Sequence, residues 1–232
     1  IIMFFLYQII ILLILVISPL ILVIRIIKNK EDKKRFKEKF SLPSKKRGAG
    51  RLIWFHGASV GELMSIIPLI KYYEMNKSVD QILITSSTLS SSNVFKKFNF
   101  KKATHQFYPI DQIYFTNKFL KYWRPDLAVF IESEIWPSMF KSLNSKNIPI
   151  ILLNARLTKK TFNRWMQIKF FSIPIFNKLS IAYPQNHETK TYLKKLNVKK
   201  INLIGNLKFA ENPDENLDKL NNKLKSELKR KK

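Results

Sequence analysis

The stretch Leu52-Ile-Trp-Phe-His-Gly-Ala-Ser-Val-Gly-Glu62 decides the fold of this 232-residue chain. It opens with Leu52 to Phe55, a short apolar run that is typical of a strand buried on both faces. Two glycines and a serine interrupt the apolar pattern between His56 and Gly61. Apolar residues with helical spacing then share one face: Leu63, Ile66, Ile67 and Ile70. Strand, loop and helix predict the first unit of a doubly wound α/β domain, in which ligands bind beyond the carboxyl ends of the strands.

Glu62 stands at the start of the predicted helix, and two interpretations of its carboxylate are open. An acid in the first helical turn is favoured by the helix dipole, which would give Glu62 a purely structural role. Its position beside the ligand-edge loop also makes it a candidate catalytic residue. The loop itself, Gly57-Ala-Ser-Val-Gly61, lacks the G-x-G-x-x-G spacing of a dinucleotide site, so a nicotinamide enzyme is disfavoured.

Apolar strand patterns continue to alternate with helical ones along the chain, which predicts a parallel α/β sheet. The further strands are expected at 81–85, 105–110, 127–131, 149–153, 179–183 and 201–204. The main helices between them are expected at 111–122, from 137 to about 145, and from about 187 to 196.

Polar side chains follow several of these strands. Ser86 to Ser92 is rich in hydroxyls, which suit either the binding of a sugar or phosphate or the cap of a helix. Glu132 and Glu134 follow strand 127–131 directly, where two carboxylates serve either a ligand or the cap of the next helix. The pattern does not decide which of the two glutamates faces a site.

The N-terminus predicts a membrane anchor. Met3 to Ile24 is an uncharged 22-residue apolar run that reaches ~33 Å as a helix, enough to cross a bilayer core. It is too long for a signal-peptide core and is followed by no small-x-small cleavage site. From Arg25 to Arg51, twelve Lys or Arg residues stand against three acids. This charge places the rest of the chain in the cytoplasm and against anionic headgroups, although a solvated linker helix is an alternative.

Composition limits the possible chemistry. The chain has no cysteine, which excludes disulfides and a thiol nucleophile, and its three histidines lack the spacing of metal ligands. The formal charge of +26 suggests an anionic partner: nucleic acid, phospholipid or a phosphorylated substrate. Nucleic acid is disfavoured, because the basic residues are densest beside the apolar run and no nucleic-acid-binding motif is present.

Four motifs in order resemble the 3-deoxy-D-manno-octulosonic acid (Kdo) transferases of lipid A biosynthesis, which are glycosyltransferases of the GT-B architecture. The motifs are Trp54-Phe-His-Gly-Ala-Ser-Val-Gly-Glu62, Glu132-Ser-Glu-Ile-Trp-Pro137, Asn154-Ala-Arg-Leu157 and Gly205-Asn-Leu-Lys-Phe209. The resemblance implies a Rossmann-like parallel sheet that forms the N-terminal domain of such an enzyme. On this basis we divide the chain into an anchor (1–26), a basic juxtamembrane segment and linker (27–50), an acceptor-binding domain (51–210) and a charged C-terminal linker helix (211–232).

The resemblance also implies an activity: transfer of Kdo from CMP-Kdo to a lipid A precursor, lipid IVA, at the cytoplasmic face of the inner membrane. In the family pattern Glu62 is the general base, and Glu132 and Lys208 stabilise the transition state. The same motifs and loops supply the expected substrate-binding residues, which are Ser59, Gly61, Ser86, Glu134 and Arg156. No cofactor and no metal ion is expected.

The family holds its sugar donor mainly in a second domain after the Gly205–Phe209 motif, whereas only 23 residues follow that motif here. We therefore expect a fragment that is inactive without its C-terminal half, which a separate polypeptide would have to supply. Two residues, Ile1 and Ile2, also precede the first methionine. The alternative is a non-catalytic, membrane-anchored domain that binds lipid A or other anionic lipids.

Overall fold

A computed structural model describes residues 2–207, and in it six parallel strands form one sheet in the order β3-β2-β1-β4-β5-β6. The strands are β1 Leu52–His56, β2 Gln81–Ser86, β3 Ala103–Phe107, β4 Leu127–Ile131, β5 Ile150–Ala155 and β6 Ile181–Pro184. The helices are α1 Ile2–Ile27, α2 Val60–Ser65, α3 Ile67–Met75, α4 Leu89–Phe95, α5 Ile113–Trp123, α6 Pro137–Ser145, α7 Lys159–Gln167, α8 Lys169–Phe176 and α9 His187–Lys195, with a 3₁₀ helix at Phe36–Phe40. The predicted α/β class is confirmed.

The core lies on both faces of the sheet, as the apolar strands require. Along β1, Leu52 and Trp54 belong to the apolar cluster on one face, and Ile53 and Phe55 to the cluster on the other. All five residues of β1 are buried. This double burial is why the strands are continuous apolar runs and do not alternate with polar residues.

The strand order reverses between β1 and β4, because the chain proceeds from β1 to β2 and β3 on one side and then crosses to β4 on the other. His56 lies opposite Phe130 in the register of these two strands. The loops that leave β1 and β4 therefore diverge at the same edge and open a crevice between them. Such a switch point is where open α/β sheets bind their ligands.

Two predicted elements differ from the structure. The helix expected from Leu63 to Ile70 is divided into α2 and α3 at Ile66, because Pro68 has no N–H to continue a single helix and fits only the first turn of a new one. The strand expected at 201–204 is reduced to one bridge between Ile201 and Ala182. Its neighbour in β6 is Pro184, which has no N–H to extend the pairing.

The basic segment before β1 is packed onto the domain and is not a free linker. The Glu38 side chain is 1% exposed and forms an ion pair with Arg35, with the Arg35 Nε 2.8 Å from the Glu38 Oε1. Glu38 Oε2 also accepts a hydrogen bond of 2.8 Å from the backbone N–H of Phe107 in β3. Glu31, also 1% exposed, pairs with Arg25 and Lys39. Part of the predicted segment 27–50 is therefore structurally continuous with the sheet.

Candidate active site

The loop after β1 fixes the carboxylate of Glu62 at the ligand edge of the sheet. Ser59 caps α2: its Oγ accepts a hydrogen bond of 3.3 Å from the Glu62 N–H and donates one of 2.8 Å to the Glu62 Oε1. The other oxygen, Glu62 Oε2, accepts a hydrogen bond of 2.8 Å from the Ala58 N–H. This reciprocal arrangement is a variant of the capping box. Glu62 thus makes the contacts of a helix-start acid, and the same contacts hold its carboxylate in one orientation.

Gly57 allows this close approach. A Cβ atom at position 57 would lie 3.1 Å from the Cβ of Glu62, tighter than most contacts between such atoms. The glycine after β1 therefore lets the first turn of α2 fold back over the strand end. This close contact explains why position 57 is a glycine although its backbone does not need a positive φ angle.

The cap makes a stability prediction for Ser59. Ser59→Ala removes the acceptor for the Glu62 N–H, and we expect it to destabilise the domain by about 0.5–2 kcal/mol. Ser59→Thr keeps a capping hydroxyl and should retain most of the stability. The measurement is denaturant unfolding in detergent, followed by tryptophan fluorescence. Equal unfolding midpoints for the Ala variant and the parent would contradict the capping role.

The loop after β4 brings two more carboxylates to the same edge. Glu132 has a left-handed backbone conformation, with φ of 57°, which is rare for a residue that is not glycine. Its N–H donates to the Leu153 carbonyl of β5, and its own carbonyl accepts from the Arg156 N–H. These two backbone hydrogen bonds hold the left-handed conformation in place. Backbone strain of this kind is concentrated at functional sites.

The Glu134 carboxylate is held by two ring nitrogens, one from His56 and one from Trp136. Its Oε2 is 3.0 Å from the His56 Nε2 and accepts a hydrogen bond of 2.8 Å from the Trp136 Nε1. The His56 ring is fully buried, stacks on Tyr108 with 3.9 Å between ring centroids, and places its Nδ1 2.9 Å from the Thr85 Oγ1. The Glu134 side chain keeps 16% of its exposure. Glu134 therefore has one oxygen anchored to the core while the side chain remains at the open edge.

Electrostatics links the three carboxylates. Partial burial raises the pKa of Glu62 above its ordinary value, and the negative charges of Glu134 and Glu132 raise it further. The hydrogen bonds from Ser59 and the Ala58 N–H oppose this shift and lower the pKa. A glutamate with a raised pKa is a stronger base once it is ionised, which suits proton abstraction near neutral pH.

The end of β5 completes the edge. Arg156 is exposed, and its backbone is tied to the β4 loop because Ser133 Oγ donates to the Arg156 carbonyl. Asn154 has a φ of 53° and is buried, and its Oδ1 accepts a hydrogen bond of 3.2 Å from the Leu207 N–H. The start of the Gly205–Phe209 motif therefore reaches the same edge as the other three motifs.

The predicted site residues fall into three groups. The first surrounds the crevice between β1 and β4 or lies beside it, and comprises Ser59, Gly61, Glu62, Glu132, Glu134 and Arg156. The second is Ser86, which is buried at the end of β2 and bonded to His105, with 2.8 Å between Ser86 Oγ and His105 Nε2. The third is Lys208, which lies outside the described residues, as does the segment 211–232.

His105 explains why Ser86 is directed inward. Burial, together with the positive charges of Arg35 and Lys96, lowers the pKa of His105 to about 3, so its ring is neutral at physiological pH. Arg35 only donates hydrogen bonds, and its Nη2 is 3.0 Å from the His105 Nδ1. The ring proton is therefore on Nε2 and is donated to the Ser86 Oγ. This hydrogen bond holds the Ser86 hydroxyl in the core.

His56 and Trp136 are two residues of this site that the sequence analysis did not single out. Both stand inside the quoted motifs, but their common partner Glu134 lies 78 residues from His56. The available signal is a polar ring at the end of a strand that is otherwise apolar. Within residues 2–207, no group of three or more His, Cys, Asp or Glu side chains is arranged to hold a metal ion.

Solved structures share this fold. A UDP-N-acetylglucosamine 2-epimerase matches with a TM-score of 0.51 and 13% identity, over 70% of this chain and 47% of that one. A putative epimerase of the same name from Listeria monocytogenes matches with a TM-score of 0.51 and 12% identity, over 72% and 50% of the two chains. Identities this low show the fold alone. Together with the carboxylate-lined switch point, they define the chain as a Rossmann-like domain of the GT-B architecture.

Sequence comparison gives the family. The pattern of the 3-deoxy-D-manno-octulosonic-acid transferases (kdotransferases) matches residues 34–211. The chain is 36% identical to a 3-deoxy-D-manno-octulosonic acid transferase of Rickettsia bellii, over 95% of this chain and 54% of that protein. A transferase of the same name from Rickettsia conorii is 39% identical, over 74% of this chain and 37% of its own length. The chain belongs to the Kdo transferase family, and its matches cover between 25% and 54% of the lengths of curated relatives such as these.

Proposed function

We propose that this chain is the acceptor-side half of an enzyme that transfers Kdo from CMP-Kdo to a lipid A precursor, lipid IVA. The observation that carries the proposal is Glu62, a carboxylate with a raised pKa that two hydrogen bonds hold at the switch point between β1 and β4. The site of action is the cytoplasmic face of the inner membrane, where the apolar helix α1 and the basic residues that follow it attach the domain to anionic lipid.

Glu62 acts as the general base in this proposal. An acceptor hydroxyl of the lipid approaches the carboxylate and transfers its proton to Glu62 as the oxygen attacks the anomeric carbon of Kdo. A new C–O bond forms on that carbon while its bond to the phosphate of CMP breaks, and CMP departs with the electron pair. Both Glu62 oxygens already accept one hydrogen bond, but each keeps a second lone pair for the acceptor hydroxyl.

The β4 carboxylates stabilise the charge that develops. The anomeric carbon becomes positively charged as the bond to phosphate lengthens, as it does in glycoside cleavage. Preorganised negative groups at the crevice, Glu132 and Glu134, stabilise that charge without having to reorganise. In this proposal the positive charge of Lys208 offsets negative charge, either on the departing phosphate or on the phosphates of the acceptor. Ser59, Gly61 and Arg156 form the rim that contacts the acceptor.

The second candidate is a membrane-attached domain that binds lipid A or anionic lipid without turnover. The observations that favour it are the apolar helix α1 and the basic residues that follow it, which suit an anionic lipid surface whether or not transfer takes place. The same site would then hold the acceptor lipid alone. We rank this below transfer, because simple binding requires no base, whereas Glu62 combines a fixed orientation with a raised pKa at the switch point.

One experiment separates the two functions. Kdo transfer from CMP-Kdo to lipid IVA is measured in membranes that contain this chain, with and without the C-terminal half of the Rickettsia bellii relative. We expect transfer only when both halves are present. Lipid IVA binding without transfer in either case would overturn the catalytic proposal in favour of the binding domain.

A further inference from the structure

The helix α1 has two different faces, although it is apolar almost throughout. Its polar side chains are Tyr7, Gln8, Ser18 and Arg25. At 3.6 residues per turn, these four positions fall within a sector of about 100°. The remainder of the helix circumference is apolar. A helix surrounded by lipid on all sides has no reason to collect its few polar groups on one face.

That polar face contacts the domain at both ends of the helix: Phe4 and Tyr7 pack against the core, and Arg25 pairs with Glu31 and lines a cavity with residues 88–90 before and in α4. Half-buried side chains recur with helical spacing, at positions 4, 8, 11, 15, 18, 22 and 25, while the residues between them are mostly exposed. This face, the polar stripe of α1, is therefore held at the first two turns and at the last turn, and not only at the end that joins the domain.

Three hydrogen bonds attach the first third of α1 to the ligand edge of the sheet. Tyr7 Oη donates to Asp111 Oδ2 at 2.7 Å, and Gln8 Nε2 is 2.7 Å from the Ser138 Oγ. Gln8 Oε1 accepts a hydrogen bond of 3.0 Å from the Ile113 N–H, the first residue of α5. Asp111 also accepts from the N–H groups of Ser138 and Met139 at the start of α6. The polar groups of α1 are thus matched to the starts of α5 and α6.

Apolar and cationic contacts support the same docking. The Phe4 ring has the Lys141 ammonium 4.0 Å from its centroid, and the Tyr7 ring lies 5.7 Å from the ring of Phe171 in α8. Met3 and Phe4 line a cavity together with residues of α6 and α8. Both polar and apolar contacts therefore place the first two turns of α1 against the same side of the domain.

This docking and a crossing of the bilayer are incompatible. Tyr7 and Arg25 are 18 residues apart, which is about 27 Å along a helix. If α1 crossed the membrane with Arg25 at the domain side, Tyr7 would lie near the opposite surface and would not reach Asp111. The single-pass arrangement that the sequence predicts and the contacts of Tyr7 and Gln8 are therefore alternatives, of which only one holds in the membrane.

The face of α1 that points away from the domain requires an apolar covering. Phe5, Leu13, Val16 and Leu20 are each more than 60% exposed. Phe170 of α8, next to the docked N-terminal turn, is 84% exposed. A surface of this length and composition, followed directly by a dense basic segment, fits the acyl region and anionic headgroups of one phospholipid leaflet.

We infer that α1 lies in the plane of the cytoplasmic leaflet, with its polar stripe on the domain and the rest of its surface among acyl chains. Both ends of α1 are then on the cytoplasmic side. The starts of α5 and α6, and with them the crevice between β1 and β4, lie beside the leaflet that carries the lipid acceptor. The inference relies on the membrane attachment of the proposed function, but it does not depend on Kdo transfer.

Cysteine cross-linking tests the docking in native membranes. The chain has no cysteine, so every pair introduced is the only one present. Gln8→Cys with Ser138→Cys places one thiol on each side of this contact, and we expect a short bifunctional thiol reagent to cross-link them. Ile10→Cys with Ser138→Cys is the matched control, because position 10 lies about 160° around the helix from Gln8 and Ile10 is 55% exposed. Absence of the Gln8–Ser138 cross-link, or equal cross-linking of both pairs, would overturn the inference.

A second measurement keeps the inference testable if the cysteine variants fold poorly. A short epitope tag is placed before Ile1 of the otherwise unchanged chain, and protease is added to inside-out vesicles and to spheroplasts. An in-plane helix predicts digestion of the tag in inside-out vesicles and protection in spheroplasts. The reverse pattern would show that α1 crosses the bilayer. Neither measurement involves catalysis, so failure of this inference is distinguishable from failure of the proposed transfer.

Discussion

Glu62→Gln is expected to lower Kdo transfer by about 10²–10⁴-fold, the range over which general bases act. Glutamine keeps an oxygen that accepts from the Ala58 N–H, so the fold of the β1–α2 loop should persist, but it does not take up the proton of the acceptor hydroxyl. The measurement is the initial rate of transfer to lipid IVA, with the C-terminal half supplied and with expression of both halves matched.

A matched control is Glu188→Gln, which neutralises a glutamate that is exposed on α9, outside the candidate site. We expect the parent rate from it. The pH profile supplies an independent readout, because the raised pKa of Glu62 places the acidic limb of the rate above the ordinary range of glutamate. Glu134→Gln removes one of the negative charges that raise this pKa, so it should move the limb to lower pH. Transfer by Glu62→Gln at the parent rate would exclude Glu62 as the base.

The sheet could be predicted from the sequence because its strands are buried on both faces. β4 is an unbroken apolar run and β1 is apolar up to Phe55. Such runs can be recognised in the sequence without any knowledge of their neighbours. The two elements that differed from the prediction each depend on a proline. A proline changes the backbone locally, but which helix or strand pairing it interrupts depends on the rest of the fold. Pro68 begins a new helix after the break at Ile66, and Pro184 limits the pairing of the segment after α9.

Only the part of the candidate site that follows from the sheet topology could be predicted from the sequence. The carboxyl ends of parallel strands share an edge, so Glu62 and the β4 glutamates were expected together, and the structure places them together. Hydrogen-bond partners that are distant in sequence were not accessible in this way. The His56 contact with Glu134 and the His105 contact with Ser86 each join two different strands or loops. The first adds a residue to the site, and the second places a predicted one in the core.

The basic segment 27–50 shows a different limit. A count of charges describes it as a positively charged linker, and most of its lysines are exposed as that description predicts. The count does not show that two of its three acids, Glu31 and Glu38, are buried. Burial of a carboxylate depends on which cations and N–H groups the fold brings to it, and for Glu38 one of these comes from β3. The segment thus has two roles: its surface faces the solvent or lipid, and its acids attach it to the sheet.

The second large effect is expected at Glu38. Glu38→Ala removes the partner of the Arg35 guanidinium and the acceptor of the Phe107 N–H, and we expect the domain to lose about 3–5 kcal/mol of stability, as when one member of a buried ion pair is deleted. The measurement is urea unfolding in detergent, followed by tryptophan fluorescence. Glu188→Ala, which removes an exposed carboxylate bonded to Tyr192, is the control and should change stability by less than about 0.5 kcal/mol.

Removal of both partners decides whether the cost arises from the charge left behind. Glu38→Ala leaves Arg35 only 18% exposed and without its carboxylate, so Arg35→Ala added to it relieves an uncompensated cation. We therefore expect the double variant to be destabilised by clearly less than the sum of the two single variants. Strict additivity would show that the two side chains act independently. In that case the segment before β1 would be attached to the sheet by its other contacts, and the buried pair would not be its anchor.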